Sequence, residues 1–339
     1  MKRKFILSIG MFALAMLVLP TLVVAGTGRF LVKWHDLQLY YPHGIATGPN
    51  ENVYVADTHN HRVKVINSSG TFITKWGVEG IGDGQFKWPK DIAVGQDGSV
   101  YVADTQNHRI QVFDSSGTFV TKWGKYGTGD GQFYNPNGIA VGQDGSVYVA
   151  DTDNHRIQVF DRVGTFITTW GSRGTGDGQF EGPVGITVGP DGDIYVVDGN
   201  NHRIQVFDRA GTFITTWGSY GYGDGQFRCP RDIAVSPNGD VYVVDWNHRI
   251  QVFDRAGNFL ITWGSYGTDE GRLRYPQGVA AGPYGNIYVV DSWNNRIQVF
   301  DYVGTFTTIW GSQGMVTGCS YIRMAASMLL ALPPPHQGN

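Results

Sequence analysis

The chain has 339 residues, a formal net charge of −3, 41% hydrophobic residues and 13% aromatic residues. This apolar content argues against an intrinsically disordered chain, and the acidic balance lacks the basic excess on which non-specific nucleic-acid binding depends. The 48 glycines fall at regular turn positions, which excludes a collagen-like or flexible-linker chain. Only two cysteines, Cys229 and Cys319, are present, so no disulfide framework is expected.

Residues 1–25 have the pattern of a secretory signal peptide. A basic start at residues 2–4 precedes a mainly apolar segment at residues 5–24, and "VVA" before Gly26 matches a small-residue cleavage site. Twenty apolar residues are also long enough to remain as an uncleaved membrane anchor. We favour cleavage because Pro20 interrupts the segment. In both cases we expect a secreted or extracytoplasmic protein, with residues 5–24 as its membrane contact if they are retained.

Residues 26–40 form a lead-in to the main body of the chain. The segment "GRFLVKW" at 28–34 has the Gly-x-Phe-x-x-x-Trp spacing of "GTFITKW" at 70–76, which recurs in each later unit. The chain therefore holds seven such segments for six units. We expect the first one to pair with the last unit in place of residues 306–310 and so latch a ring, or else to lie outside it as a spacer. The latch is favoured because closure removes two exposed sheet edges.

Six copies of one unit fill residues 41–311. The stretch "DTQNHRIQVFD" at Asp104 recurs with small changes, and the leading aspartates are spaced by 47 residues four times and then by 46. The shorter interval arises because the fifth copy lacks one residue. A fixed period of this length is the signature of a repeat architecture.

The residue pattern of each unit predicts four short antiparallel strands. In the second unit they are Ile92–Val94, Val100–Ala103, Arg109–Phe113 and Phe119–Trp123, with "QDG" and "SSG" as turns. Four strands in about 47 residues match one propeller blade, and six blades lie within the usual range. The sequence therefore predicts an all-β, six-bladed β-propeller of four-stranded antiparallel blades. A linear solenoid would need polar capping units at its ends, and the sequence contains none.

The words "P-x-G-I-A-V", "V-Y-V-A-D" and "N-H-R-I-Q-V-F" resemble the NHL repeat, and residues 41–311 look like a six-bladed NHL propeller. The resemblance covers about four fifths of the chain. It implies the fold strongly and the function weakly, because this family includes RNA-binding modules, ubiquitin-ligase substrate modules, extracellular sensor domains and a lyase branch.

An aspartate and an arginine recur in every unit, and we interpret them as structural because one active site would not need six copies. Each aspartate ends a second strand and is expected to accept hydrogen bonds from its turn or from an arginine of its own or a neighbouring blade. The residues are Asp57, Asp104, Asp151, Asp198, Asp245 and Asp291, with Arg62, Arg109, Arg156, Arg203, Arg249 and Arg296.

The repeated histidines do not predict a metal site. Metal ligands must converge within about 2.1 Å of one ion, whereas residues that occur once per blade are spread around a ring. The histidines are His61, His108, His155, His202 and His248, with Asn295 in the sixth unit. The "GDGQF" loops hold too few carboxylates for calcium. We expect no catalytic residue, no metal and no cofactor.

A binding site is expected where the six-fold repetition breaks. Turns after the second strands and connections between blades share one face, and their sequences vary, whereas the hairpins of the opposite face are monotonous. Blades five, six and one place cationic and aromatic residues close together there, a composition that suits an anionic or aromatic partner. The candidate binding residues are Arg228, Arg231, Trp246, Arg274, Tyr275, Trp293, His43 and His59, while Lys87, Trp88 and Lys90 form a smaller cluster expected across the ring.

Three functions remain open. We favour a non-catalytic, monomeric binding or sensor module for a protein, peptide or glycan, because a propeller offers a broad rigid face and no asymmetric catalytic set is evident. The resemblance also allows an enzyme of the amidating-lyase or lactonase kind. An RNA-binding module is the third possibility, and export and acidic charge count against it.

The tail, residues 312–339, starts like an inter-blade loop and loses the pattern after Gly314. Residues 324–332 are apolar but too short to span a bilayer, and three prolines at 333–335 prevent further helix. We expect an irregular tail, of which residues 315–339 add no blade and carry no site. The alternative is a short helix docked on the propeller or a decayed seventh repeat.

Overall fold

The computed structural model describes residues 37–311, which form six four-stranded antiparallel sheets arranged in a ring. The predicted six-bladed β-propeller is therefore confirmed. The signal segment, the segment at 28–34 and the tail lie outside the described residues. Within the described range, no helix has the length and hydrophobicity needed to cross a membrane.

In every blade the four strands follow in sequence from the axis outward, and neighbouring first strands contact one another around the ring. The first strands are β1 (Ile45–Thr47), β5 (Asp91–Val94), β9 (Pro136–Val141), β13 (Pro183–Val188), β17 (Asp232–Val235) and β21 (Gly278–Ala281). The second strands are β2 (Val53–Asp57), β6 (Val100–Asp104), β10 (Val147–Asp151), β14 (Ile194–Asp198), β18 (Val241–Asp245) and β22 (Ile287–Asp291).

The two outer strands complete each blade. The third strands are β3 (Arg62–Ile66), β7 (Arg109–Phe113), β11 (Arg156–Phe160), β15 (Arg203–Phe207), β19 (Arg249–Phe253) and β23 (Arg296–Phe300). The fourth strands are β4 (Phe72–Trp76), β8 (Phe119–Trp123), β12 (Phe166–Trp170), β16 (Phe213–Trp217), β20 (Phe259–Trp263) and β24 (Phe306–Trp310).

The burial of each strand follows from its sequence. Second strands such as "VYVAD" in β6 are nearly continuous apolar runs and are buried along their whole length. The fourth strand β8, "FVTKW", alternates between half-buried and exposed residues because it forms the outer edge of its blade. Six apolar clusters fill the six interfaces between neighbouring blades, including the interface between blades six and one.

A tryptophan and a glycine meet at each interface. Gly117, in the turn before β8, has φ +91°, and a Cβ there would lie 2.5 Å from the ring of Trp76 in the preceding blade. Glycine is therefore required twice, by its left-handed backbone and by the indole that covers it. The same contact joins Trp310 of blade six to Gly70 of blade one.

The ring closes by packing rather than by displacement of the last strand. Residues 306–310 pair with β23 as the fourth strand of blade six, so the expected displacement of these residues is wrong. Because "FTTIW" continues its own blade through a short turn, it pairs locally. Leu39 joins the apolar cluster between blades six and one, which includes Trp310. Whether residues 28–34 add a further strand concerns residues outside the described range.

Candidate ligand-binding site at the axial mouth

The turns after the second strands and the connections between blades do share one face, which we call the variable face. The backbone N–H of Gln106, in a turn of blade two, donates to the carbonyl of Lys87 in the connection that enters the same blade, at 3.1 Å. The equivalent hydrogen bond in blade six joins the backbone N–H of Trp293 to the carbonyl of Arg274, at 3.1 Å. Residues from two separate loops of each blade are therefore held side by side on this face.

The repeated aspartates anchor these loops. Asp104 is completely buried, and its Oδ2 accepts hydrogen bonds from Arg109 Nε at 2.7 Å and Gln111 Nε2 at 3.0 Å. Its Oδ1 accepts from the backbone N–H of Lys87 at 2.7 Å. Arg109 also donates to the carbonyl of Gly82. The group thus fastens each connection to the blade that it enters.

All six aspartates pair with the arginine of their own blade, at Nε–Oδ2 distances from 2.6 to 3.4 Å. The longest distance joins Arg249 to Asp245 in blade five. That blade lacks one residue between the two partners, so its turn is tighter and the pair is stretched. Burial raises the pKa of Asp245 to about 6, although Arg249 opposes the shift.

The repeated histidines connect each blade to the next. His61 Nδ1 accepts a hydrogen bond at 3.1 Å from the backbone N–H of Trp88, which has φ +53°. The contact recurs around the ring, and the Oδ1 of Asn295 takes the place of the imidazole by accepting from Tyr41 N at 2.8 Å. Within residues 37–311, no three His, Cys, Asp or Glu side chains converge to hold a metal ion.

Aromatic side chains of the variable face form a continuous chain of contacts that we call the aromatic arc. It crosses blades five, six, one and two. The arc consists of Trp246, Tyr275, Trp293, Tyr41, His59 and Trp88, with ring centroids of successive members 4.5 to 6.1 Å apart. Such separations are typical of stabilising aromatic pairs. Trp88 and Trp293 remain 40% and 46% exposed and can contact a partner.

The sequence analysis expected Trp88 to belong to a separate cluster across the ring. Instead Trp88, in the connection that enters blade two, contacts His59 of blade one and extends the aromatic arc. The reason is that the connections lean toward the preceding blade, where His61 holds the backbone of Trp88. Tyr41, which the sequence analysis did not select, links the two halves of the arc. Its signal was its position, equivalent to those of Trp88 and Tyr275 in the "x-P" word before each first strand.

The other predicted binding residues lie at different depths. Arg231 stacks on Trp246, with its guanidinium carbon 4.0 Å from the ring centroid. Arg274 lies 5.9 Å from the Trp293 ring. Arg228 is exposed at the rim. The structure thus brings Arg231 and Arg274 to the arc and leaves Arg228 outside it.

A cavity of about 60 Å³ opens on the variable face around the propeller axis, and we call it the axial mouth. It brings together ionisable residues from blades one, two and five. These residues are His43, Lys90, Asp91, Arg231 and Asp232. A larger cavity of about 290 Å³, the axial tunnel, continues along the first strands and shares Asp91 and Asp232 with the mouth.

The cations of the mouth are strongly affected by burial. Desolvation and the neighbouring Arg231 lower the pKa of Lys90 to about 8. Desolvation, followed by the charge of Lys90, holds the pKa of His43 well below its usual range, so this imidazole is neutral at pH 7. The mouth therefore presents Lys90 and Arg231 as two cations within electrostatic reach of each other.

Asp91 and Asp232 are the residues that the sequence analysis missed. Four blades carry glycine at the equivalent position, and a Cβ at Gly138 would lie only 1.9 Å from a backbone oxygen. Asp91 Oδ2 accepts the N–H of Ile139 and Asp232 Oδ2 that of Val279, both at 2.9 Å. Each carboxylate thus reaches into the following blade. The sequence did mark these two positions, because "P-x-G" before the first strand changes to "P-x-D" in blades two and five.

The two carboxyl groups are deeply buried and influence each other. Desolvation and the charge of Asp232 raise the pKa of Asp91 well above its usual range. Desolvation raises the pKa of Asp232 to about 7, against opposing hydrogen bonds from the backbone. At neutral pH the pair therefore retains a proton and does not carry two full negative charges.

Comparison with known proteins identifies the repeat. The NHL repeat model matches residues 39–66, 86–113, 133–160, 180–207, 227–253 and 273–300. These six matches coincide with the six blades. No curated protein matches the chain significantly in sequence.

Several solved structures have a similar fold. A streptogramin B lyase is 17% identical with a TM-score of 0.59, over 81% of this chain and 86% of that one. A catalytically inactive virginiamycin B lyase from Staphylococcus aureus with quinupristin is 16% identical, TM-score 0.58, over 85% and 88%. A chain of a nidogen/laminin complex is 17% identical, TM-score 0.57, over 80% and 94%. At these identities the likeness concerns the fold alone.

Proposed function

This chain belongs to the family of NHL-repeat β-propellers, and we propose that it is a non-catalytic binding module for a protein, peptide or glycan. Because the fold serves several functions, the proposal is based on the residues of the site. The aromatic arc is the observation that carries the proposal. Trp, Tyr and Arg are the residues most often responsible for binding energy at protein interfaces. Here they form one connected surface, although the repeat itself requires none of them.

The rigidity of the surface supports the same role. Each loop of the variable face is fastened by a buried aspartate–arginine pair and by a histidine or asparagine contact to the next blade. Side chains held in this way lose little conformational entropy when a partner binds. An exported location, proposed from the pattern of residues 1–25, would expose the face to extracytoplasmic ligands.

Binding to panels of peptides, glycans and RNA oligonucleotides tests the proposal, with wild type compared with Trp293→Ala. Tyr302→Ala is the matched control, because Tyr302 is an exposed aromatic residue in a turn of the opposite face. We expect peptide or glycan binding that Trp293→Ala weakens at least tenfold and that Tyr302→Ala leaves unchanged. Equal effects of the two substitutions, or binding of RNA alone, would contradict the proposal.

A propeller lyase is the alternative that the structural neighbours favour. One is a streptogramin B lyase, and another is a catalytically inactive virginiamycin B lyase solved with quinupristin. Chromatography of quinupristin after incubation with the protein, in the presence of divalent metal ions, distinguishes the two functions. Conversion of quinupristin would show that the protein is an enzyme and would contradict the proposed non-catalytic role.

A further inference from the structure

The axial mouth contains two cations, Lys90 and Arg231, that form no ion pair within the described residues. The side chains of Lys90 and Arg231 make no hydrogen bond or ion pair with any of residues 37–311, and Arg231 Nε is buried without an acceptor. Asp153 is exposed and forms no ion pair with Lys90, although its charge opposes the lowering of the Lys90 pKa. Desolvated cations without a direct counter-charge are costly, which favours a partner supplied by a ligand.

The carboxyl groups below the mouth do not provide that partner. The Oδ2 atoms of Asp91 and Asp232 are occupied by backbone N–H groups of the following blades. Since the carboxyl pair also retains a proton at neutral pH, two cations face about one negative charge. The mouth is therefore suited to one further negative charge.

The chemistry of the cavity favours a carboxylate. About 60 Å³ of it is open to the centres of water-sized groups, which is room enough for a carboxylate. Arg231 lies over the Trp246 ring, with its guanidinium carbon 4.0 Å from the ring centroid. Its guanidinium N–H groups make no hydrogen bond with any of residues 37–311, so they can donate to a carboxylate. A carboxylate matches these donors, and the aromatic arc extends outward beside it.

We propose that the axial mouth is a carboxylate subsite formed by Lys90 and Arg231, and that the ligand is an acidic peptide segment whose side-chain or terminal carboxylate enters the mouth while neighbouring residues pack on the aromatic arc. This inference rests on the proposed binding function of the variable face and specifies its ligand. The neutral imidazole of His43 lines the same cavity and adds no charge.

The test uses small probes, so that it can fail independently of partner binding. The probes are N-acetylaspartate amide for a side-chain carboxylate, N-acetylalanine for a chain terminus, N-acetylasparagine amide as the neutral analogue, and inorganic phosphate. Binding is followed by fluorine NMR of protein labelled with 5-fluorotryptophan, with the Trp246 signal assigned through Trp246→Phe. We expect saturable shifts of this signal with a carboxylate probe and none with the neutral analogue.

Matched substitutions in the same loops locate the site. Lys90→Met and Arg231→Met should each weaken carboxylate binding at least about tenfold, the loss expected for one charge-assisted hydrogen bond. Lys87→Met and Arg228→Met, which remove exposed charges from the same two connections, should change it less than twofold. Arg231→Lys keeps the charge and should retain part of the affinity.

Three results would overturn the inference: equal response to the neutral analogue, equal losses in the exposed-charge controls, or tighter binding of phosphate than of both carboxylates. The side-chain and terminal probes distinguish the two sources of the carboxylate. If the carboxylate probes fail while Trp293→Ala still abolishes partner binding, the proposed function stands and the subsite does not.

Discussion

Asp232→Asn should change the pH dependence of folding stability. Burial raises the pKa of Asp232 from 3.8 to about 7. At about 1.4 kcal/mol for each pH unit, a difference of roughly three units amounts to up to about 4 kcal/mol. Between these pH values the folded state binds a proton that the unfolded state has lost, so stability falls as the pH rises from 4 to 7. Asparagine cannot ionise, and its Oδ1 can still accept the N–H of Val279.

The measurement is urea unfolding of wild type and variant at pH 4.5, 6 and 8, followed by tryptophan fluorescence. The variant should gain stability relative to wild type as the pH rises, by several kcal/mol in total. His43 and Lys90, whose pKa values are lowered, act in the opposite direction, and the comparison at equal pH removes most of their contribution. Asp224→Asn, an exposed substitution in the same connection, should follow wild type. A constant difference between Asp232→Asn and wild type from pH 4.5 to 8 would refute the reasoning.

Trp310→Ala should destabilise the propeller by about 3–5 kcal/mol, because this buried indole covers a glycine of the next blade. Trp123→Ala removes the same contact at another interface and should cost less, because that indole is only partly buried. Calorimetry or urea unfolding checks this, and a loss below about 1 kcal/mol for Trp310→Ala alone would show that the ring is closed in another way. Asp104→Ala should cost about 3–5 kcal/mol, since it leaves a buried arginine without its carboxylate; an unchanged unfolding midpoint would contradict the structural role of the repeated pair. Truncation at Gly314 should leave the thermal midpoint nearly unchanged, and a drop of more than about 5 °C would show that residues 315–339 belong to the fold.

The fold was predictable because the sequence pattern of every strand and turn occurs six times. Turn residues, strand patterns and the aspartate–arginine spacing agree in all units, so local ambiguity in one copy is resolved by the others. The missing residue in blade five was also visible, and it accounts for the longer distance between Asp245 and Arg249. Closure was harder to predict, because Trp310 contacts a glycine more than 200 residues away in sequence.

The candidate site was predictable only in part. Comparison of equivalent positions selected Trp246 and Trp293, because aromatic residues there depart from the repeat. The same comparison did not select Asp91 and Asp232, because the cations that precede them, Lys90 and Arg231, were taken as the distinctive residues of these two segments. Their importance depends on desolvation near the axis, which arises only when six first strands meet. A one-dimensional pattern does not contain that property.

We propose that ligands bind on the variable face, over the axial mouth and the aromatic arc. Hydrogen–deuterium exchange of the protein with and without the tightest peptide from the binding panel tests it most directly. We expect slower exchange in the connections at 39–44, 86–91, 227–232 and 273–278, with no change in the hairpins at 48–52 and 95–99 on the opposite face. Protection confined to the hairpins, or spread equally over both faces, would contradict it.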